Sequence, residues 1–314
     1  MVAVTKMDDT YTNLRGLLFS IAYRMLGSVN EADDIVQEAF VRYHTALVDR
    51  RAEIESPKAY LAAVTTRLSI DHLRSARTRR EQYVGEWLPE PLVTDGGALV
   101  GERLVEESDS LSMAFLLMLE RLSPVERAVL LLHDVFDYGY PEIAEIVGKS
   151  AANCRQLNTR ARRHVRDGRT RFEASRRKRD ELANQFFDVV AGHGQIDELV
   201  NMLAADAVAY GDGGGKAPAA RRPTYGRERV MRLVHGLARM ARKLDVGEER
   251  TEINGQPGVM YFDRSGRLIS VLTVDIADGL IQSLRAVSNP GKLGHLGPVT
   301  DVPALIRELA DPPR

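Results

Sequence analysis

The sequence predicts a multidomain chain: two all-α domains, the second carrying a helix-turn-helix, followed by an α+β domain. Three observations predict it. Apolar residues recur at three- and four-residue intervals from Leu14 to Val190, the period of helices with one buried face. Beyond Ala204 the segments become shorter, strand-like and punctuated by glycine. Residues 139–166 combine a short helix, a Gly-Lys-Ser turn and a longer, strongly basic helix. A chain of 314 residues has room for two or three domains.

Leu14, Leu17, Leu18, Ile21, Ala22, Met25 and Leu26 make the first apolar face, and Gly27-Ser28-Val29-Asn30 breaks it. Asn30 is the expected cap of the next helix, with Asp33 in its first turn and Ile35, Ala39 and Phe40 inward. Ser56 and Pro57 then supply a cap and a first-turn proline. The helix they open carries Tyr60, Leu61, Val64, Leu68, Ile70 and Leu73 and ends in Arg74, Arg77, Arg79 and Arg80. These elements define a helical domain over residues 1–80. Residues 81–110 hold Trp87-Leu88-Pro89-Glu90-Pro91, then Gly96, Gly97 and Gly101 among acids, and read as an extended linker with one anchoring aromatic.

The second helical domain spans 111–175. Met113 to Leu119 is apolar, and Ser123-Pro124-Val125-Glu126 has the pattern of a capping box with proline at its first position. An acidic joint, Asp134 to Asp137, leads to the helix pair. Pro141 fits the first turn of its first helix, Gly148 the bend and Ser150 the cap of the second. Ile143 and Val147 form one buried stripe; Cys154, Leu157, Ala161 and Val165 form the other. The α+β domain is placed at 176–295. It opens with a helix through Leu182, Phe186 and Phe187 and has strands near 208–210, 258–262 and 267–275. The last two make an antiparallel hairpin over Asp263-Arg264-Ser265-Gly266, and an amphipathic helix covers 229–244. Residues 296–314 are a tail.

The formal net charge of −1 hides a division along the chain. Residues 81–139 carry three basic and twelve acidic side chains, whereas 140–180 carry twelve basic and five acidic. A basic module of this kind favours phosphate backbones. The single cysteine, Cys154, excludes an intramolecular disulfide framework and a cysteine-rich zinc site. No apolar run is long enough to span a bilayer, so the expectation is a cytoplasmic protein without membrane contact.

A buried stripe backed by an amide- and guanidinium-bearing face is what a helix needs in a major groove, and DNA binding is the leading functional reading. Asp33, Asp34 and Glu38 allow a metal cluster, a solvated face or a protein interface. His193, His235 and His295 are scattered, and no triad or metal spacing is present, so neither a catalytic site nor a metal or other cofactor is expected. Asp206, Tyr210, His235, Asp263 and Asp275 are the possible pocket residues of the last domain. Asp212-Gly213-Gly214-Gly215-Lys216 lacks the full phosphate-loop pattern.

The order of these features resembles an extracytoplasmic-function sigma factor of bacterial RNA polymerase. Asp33-Asp34-Ile35-Val36-Gln37-Glu38-Ala39-Phe40, Tyr60-Leu61 with Ile70-Asp71-His72-Leu73-Arg74, and Ser123-Pro124-Val125-Glu126-Arg127 with Gly139 to Ala144 carry the resemblance. Trp87 to Pro91, Asp212 to Lys216, and Asn289-Pro290-Gly291-Lys292-Leu293 are similar to signatures of the subgroup with a fused domain resembling SnoaL and nuclear transport factor 2, a SnoaL/NTF2-like cone. The resemblance implies core RNA polymerase as partner of Asp33, Asp34, Val36, Glu38 and Phe40. It implies a melted −10 strand at Arg67, His72, Arg74 and Arg77. Double-stranded −35 DNA would be read by Asn153, Arg155, Gln156 and Arg160, with Ser150, Arg162, Arg163 and Arg166 on phosphate. Cys154-Arg155-Gln156-Leu157 departs from the Val-Lys-Ser-Arg common in the family, so the −35 sequence does not carry over. The subgroup further implies regulation in cis through Trp87, Asp212, Gly213, Gly214, Gly215, Lys216, Asn289, Pro290, Lys292 and Leu293, with no separate anti-sigma protein and no obligate ligand. Two rivals stand beside this reading: a sigma-like protein whose last domain is a small-molecule sensor or enzyme, and a repressor that works without polymerase.

Overall fold

The structure, a computed structural model, describes residues 2–49, 54–95, 110–166 and 175–310. Two compact units result: 1–81 with 96–169, and 82–95 with 170–314. Half of the segment read as an extended linker therefore folds with the C-terminal unit.

In the N-terminal unit, α1 (Val2–Leu26), α2 (Val29–Val48) and α3 (Pro57–Glu81) pack on one another around Leu18, Ile21, Met25, Ile35, Phe40, Leu61 and Ile70. Gly27 adopts φ +68, which leaves Ser28 extended. Ser28, not Asn30, caps α2 by accepting from the Glu31 N–H at 3.1 Å, and Glu31 rather than Asp33 is the acid of the first turn. Ser56 caps α3 through the Ala59 N–H.

The same unit continues with α4 (Met113–Leu119), α5 (Pro124–Asp134), α6 (Tyr140–Val147) and α7 (Ala151–Arg166). The capping box of Ser123 and Glu126 starts α5. Gly148, at φ +65, ends α6 in the left-handed conformation that glycine tolerates best, and Ser150 accepts from the Asn153 N–H to start α7. Val129, Leu132, Ile143, Ile146 and Cys154 form the core here, with Val147 only partly buried against it. Ile146, not Val147, is the second buried residue of α6.

Two arginines join these helices end to side. Arg127 of α5 donates to Leu119 O at 2.7 and 3.0 Å and to Met25 O at 2.6 Å, and pairs with Glu120 at 2.8 Å. Arg67 of α3 donates to Ile146 O and Glu145 O, each at 2.9 Å. Helix C-termini leave carbonyls without intrahelical partners and carry the negative end of the dipole, so guanidinium groups suit them.

The C-terminal unit contains α8 (Arg176–Ala191), α9 (Leu199–Met202), β1 (Leu203–Asp212), β2 (Thr224–Tyr225), α10 (Arg227–Leu244), β3 (Gly247–Ile253), β4 (Gln256–Phe262), β5 (Leu268–Ala277), β6 (Leu280–Val287) and α11 (Val302–Ala310). Its six-stranded sheet runs β2-β1-β6-β5-β4-β3. β3 to β6 form an antiparallel meander, and β1 joins β6 in parallel. One sheet face, through Ala207, Ala209, Val259, Val274 and Leu284, packs on Phe186 and Phe187 of α8 and Val230 and Val234 of α10. Strand alternation sends Tyr210, Asp212, Thr273, Asp275, Ser283 and Arg285 to the opposite face.

Candidate nucleic-acid interface and linker anchor

Helix α7 is held in place by a polar clasp on its inner side. Buried Asn158 donates to Asp134 (3.2 Å) and to the Tyr140 hydroxyl (3.1 Å), and Asp134 accepts twice from Arg162, at 2.6 and 2.8 Å. Donating to Asp134 raises the pKa of the Arg162 guanidinium. Arg162, expected on phosphate, is instead occupied within the protein, because Asp134 offers a matched bidentate acceptor. The Arg155 guanidinium lies 5.2 Å from the Tyr140 ring centre, which limits its sweep. Asn153, Arg155, Gln156, Arg160 and Arg163 are exposed along the outer face. Ser150 is engaged as the cap, and the Arg166 side chain lies outside the described residues.

On α2, Val36 and Phe40 are buried in the helical core, so they position the helix and offer nothing to a partner. Burial follows from their place on the stripe that includes Ala32, Ile35 and Ala39. The outward side carries Asp34, Gln37, Glu38 and Val41, which is 60% exposed. Asp33 pairs with Arg15, and Glu38 with Arg42. On α3, Arg67 is occupied by the carbonyls of α6, His72 Nε2 lies 3.0 Å from Glu31, and Arg74 pairs with Asp71. The side chain of Arg77 lies outside the described residues.

In the C-terminal unit, Asp212 is fully buried at the end of β1. It accepts from the Tyr83 hydroxyl, from Leu88 N at 2.9 Å and from Lys292 Nζ at 2.6 Å. Lys292 Nζ also donates to Leu88 O and sits 4.8 Å from the Tyr83 ring centre and 4.4 Å from that of Trp87. A buried lysine is thereby matched by a carboxylate, a carbonyl and two π faces. Burial, with the hydrogen bond and charge of Asp212, pushes the Tyr83 hydroxyl well above its ordinary pKa. Asn289 donates to that hydroxyl at 2.7 Å. Gly214 takes φ +57, and a Cβ there would run into the Asn289 amide; one on Gly213 would strike Ala217 O. The glycines are thus needed for close approach. Pro290 opens a 3-10 turn that delivers Lys292 and buried Leu293. Lys216 stays exposed, its backbone closing the glycine turn onto Gly213 O.

The strap continues beyond Trp87. Leu92 and Asn254 exchange two hydrogen bonds, Thr94 bonds Glu252 through backbone and side chain, and His295 Nε2 lies 2.8 Å from Pro91 O. Tyr83 and Asn254, which the sequence did not single out, and His295, one of the scattered histidines, are therefore contact residues of this strap. The Asn254-Gly255 pair, a hairpin-turn signal, could have flagged the first contact point.

The five possible pocket residues separate, and Asp206 is exposed on β1. Tyr210 and Asp275 share a buried cluster with Arg285 and Ser283 on the second sheet face. Burial lowers the Arg285 pKa to about 10 against the opposing pull of Tyr210. Asp263 instead organises the β4–β5 turn, accepting from Ser265 N, Arg267 N, Arg267 Nε and Thr300 Oγ1. Burial raises its pKa, but these hydrogen bonds win and hold it down at about 2. His235 is exposed on α10. The side chains between α8, α10 and the sheet are the interlocked apolar core, so His235 and Asp263 do not converge there.

Residues 10–79 match the model of Sigma-70 region 2, and residues 112–165 that of Sigma-70 region 4. The ECF RNA polymerase sigma factor SigJ of Mycobacterium tuberculosis is 36% identical over 289 residues, covering 89% of this chain and 90% of the relative. The chain belongs to the ECF RNA polymerase sigma factors. The crystal structure of SigJ superposes with a TM-score of 0.72 at 31% identity, covering 92% of this chain and 99% of that one. SigI of the same organism is 36% identical over 195 residues, 60% of this chain and 64% of the relative. SigG is 29% identical over 277 residues, 79% and 71% respectively.

In this ECF sigma factor α1–α3 correspond to region 2 and α4–α7 to region 4, and a mixed α/β domain is added at the C-terminus. As a sigma factor it serves transcription initiation by RNA polymerase and is not an enzyme. Among the described residues no group of three His, Cys, Asp or Glu could hold a metal ion, and no helix is long and apolar enough to cross a membrane.

Proposed function

We propose that this ECF sigma factor brings core RNA polymerase, in the cytoplasm, to promoters with −10 and −35 elements, and that its C-terminal domain, a SnoaL/NTF2-like cone, regulates it in cis. Asp34, Glu38 and Val41 meet the polymerase, with Asp33 beside them. Asn153, Arg155, Gln156 and Arg160 read −35 base edges, Arg163 holds phosphate, and His72 and Arg74 meet the melted −10 strand. The observation that carries the regulatory part is the anchoring of residues 82–95 by Asp212 and Lys292. These residues lie in the segment that joins region 2 to region 4, so the cone domain governs how far the two regions can separate.

Separation is required. Elements centred on −10 and −35 are about 25 base pairs apart, roughly 85 Å at 3.4 Å each. Arg67 and α6 are in hydrogen-bond contact in this structure. The halves therefore open on the promoter, and Arg67 is released toward the melted strand as they do.

Run-off transcription with core polymerase tests this on a promoter library, comparing the full chain, Asp212→Asn and a chain ending at residue 180. Promoter-specific transcripts from the full chain are expected, with output altered in both variants. Unchanged output together with unchanged polymerase affinity would remove the regulatory role. Gln156→Ala is expected to lose about 1–3 kcal/mol of −35 discrimination.

A further inference from the structure

Helix α10 carries six of the sixteen Lys and Arg residues between 181 and 314, but only one of the seventeen Asp and Glu. At about 100° per residue, Arg229, Arg232, Arg239 and Lys243 fall within an arc of about 80°. That arc lies opposite Val230, Val234 and Ala238, the residues α10 buries. All four cations are exposed. Among the described residues none of them has a carboxylate partner: Asp188 is taken by Arg250 and Asp245 by Arg264.

Gly236 stands in the middle of this arc. A Cβ there would meet nothing within 4 Å, and its φ is not left-handed. Neither packing nor backbone conformation calls for glycine, and glycine weakens a helix. What it permits is close approach by the backbone of an external partner. The stripe spans about 21 Å at 1.5 Å per residue, the length of about six base pairs.

We infer that Arg229, Arg232, Arg239 and Lys243 form a second, sequence-independent contact to the DNA phosphate backbone, with Gly236 as the point of closest approach. The inference rests on the reading of the chain as a promoter-binding factor. A lipid surface is a poorer match. An interfacial helix must bury a continuous apolar face in the bilayer, and Val230, Val234 and Ala238 of α10 are already buried within the protein, which leaves Leu237 and Met240 as its exposed large apolar side chains.

The test uses holoenzyme assembled from core polymerase and the full chain, either wild type or R229Q/R232Q/R239Q/K243Q. Affinity for a promoter duplex and for an unrelated duplex of equal length is measured across a KCl series. Each lost phosphate contact should make the slope of log K against log salt shallower by about 0.9, so about 3.6 in all. The loss should be the same factor on both duplexes, because phosphate contacts carry no sequence information. Replacing the three arginines by lysine should preserve the slope, and Gly236→Phe should weaken binding without loss of helicity by circular dichroism. An unchanged slope in the glutamine variant overturns the inference. So does a variant that loses only its binding to phosphatidylserine vesicles. If wild-type holoenzyme shows no promoter preference, the sigma reading fails, while the slope on the unrelated duplex still decides the role of α10.

Discussion

In the N-terminal unit, regions 2 and 4 are joined by guanidinium groups resting on helix ends; in the C-terminal unit, residues 82–95 are joined to the sheet by a buried ion pair inside two aromatic rings. Water can replace the Arg67 part of the first contact. Arg67 is exposed, and Arg127 reaches region 2 at Met25 O, whereas its partners Leu119 and Glu120 lie near it in sequence. Opening the halves leaves Arg127's bonds to Leu119 O and its pairing with Glu120 intact. The second contact has no such exit. Removing Leu88 from Asp212 and Lys292 would break the Leu88 N–H bond to the carboxylate and the Lys292 bond to Leu88 O at a site where both side chains are buried. The difference teaches which joint is built to move and which is built to stay.

Lys292→Met should break that contrast most severely. It leaves Asp212 buried without its cation, at a cost of about 3–5 kcal/mol, read as a lower unfolding midpoint by calorimetry. Adding Asp212→Leu to Lys292→Met should recover part of the loss, since an apolar pair can replace a buried ion pair; a double variant no better than the single would show that the rings, not the charges, hold the strap. Arg127→Ala should cost about 2–3 kcal/mol by leaving Leu119 O and Met25 O without donors. Arg67→Ala should cost about 1 kcal/mol or less, because water solvates the exposed carbonyls it leaves. Its larger effect should be on shape: a greater radius of gyration by X-ray scattering, which an unchanged profile would rule out.

The smallest expected effect concerns acid. Asp263 has its carboxylate pKa lowered from 3.8 to about 2, so the stability it adds is complete above the unfolded value and fades as pH falls through the folded one. Asp263→Asn should therefore lose stability at neutral pH and show a flatter stability profile between about pH 4 and 2, measured by urea unfolding. A wild-type profile in the variant would mean that Thr300 and Arg267 do not depend on the charge.

Helices, caps and the helix-turn-helix were legible because their signals are local: Ser56-Pro57, the Ser123–Glu126 capping box and the Gly148 bend each act within one turn. Where two neighbouring residues could serve the same role, as with Ser28 and Asn30, only the glycine conformation before them decided it. Strand β3 was missed because Gly247-Glu248-Glu249-Arg250 reads as a polar loop, although it forms an edge strand where charge is at home. The site was legible in part. Trp87, Asp212, Asn289 and Lys292 stand up to 205 residues apart, and what the sequence could not supply was Tyr83, which meets three of them only through tertiary contact. Val36 and Phe40 carried the right chemistry for an external partner, but burial had already claimed them, while Arg67 and Arg162 rest on internal acceptors in this structure.

The pairing of Asp212 with Lys292 also sets an order in time. Region 4 is complete once residue 166 has been synthesised, but the strap cannot close until residue 292 follows, 126 residues later. At about 5–20 residues per second, every newly made chain spends roughly 6 to 25 seconds with both promoter-reading regions translated and the strap not yet closed.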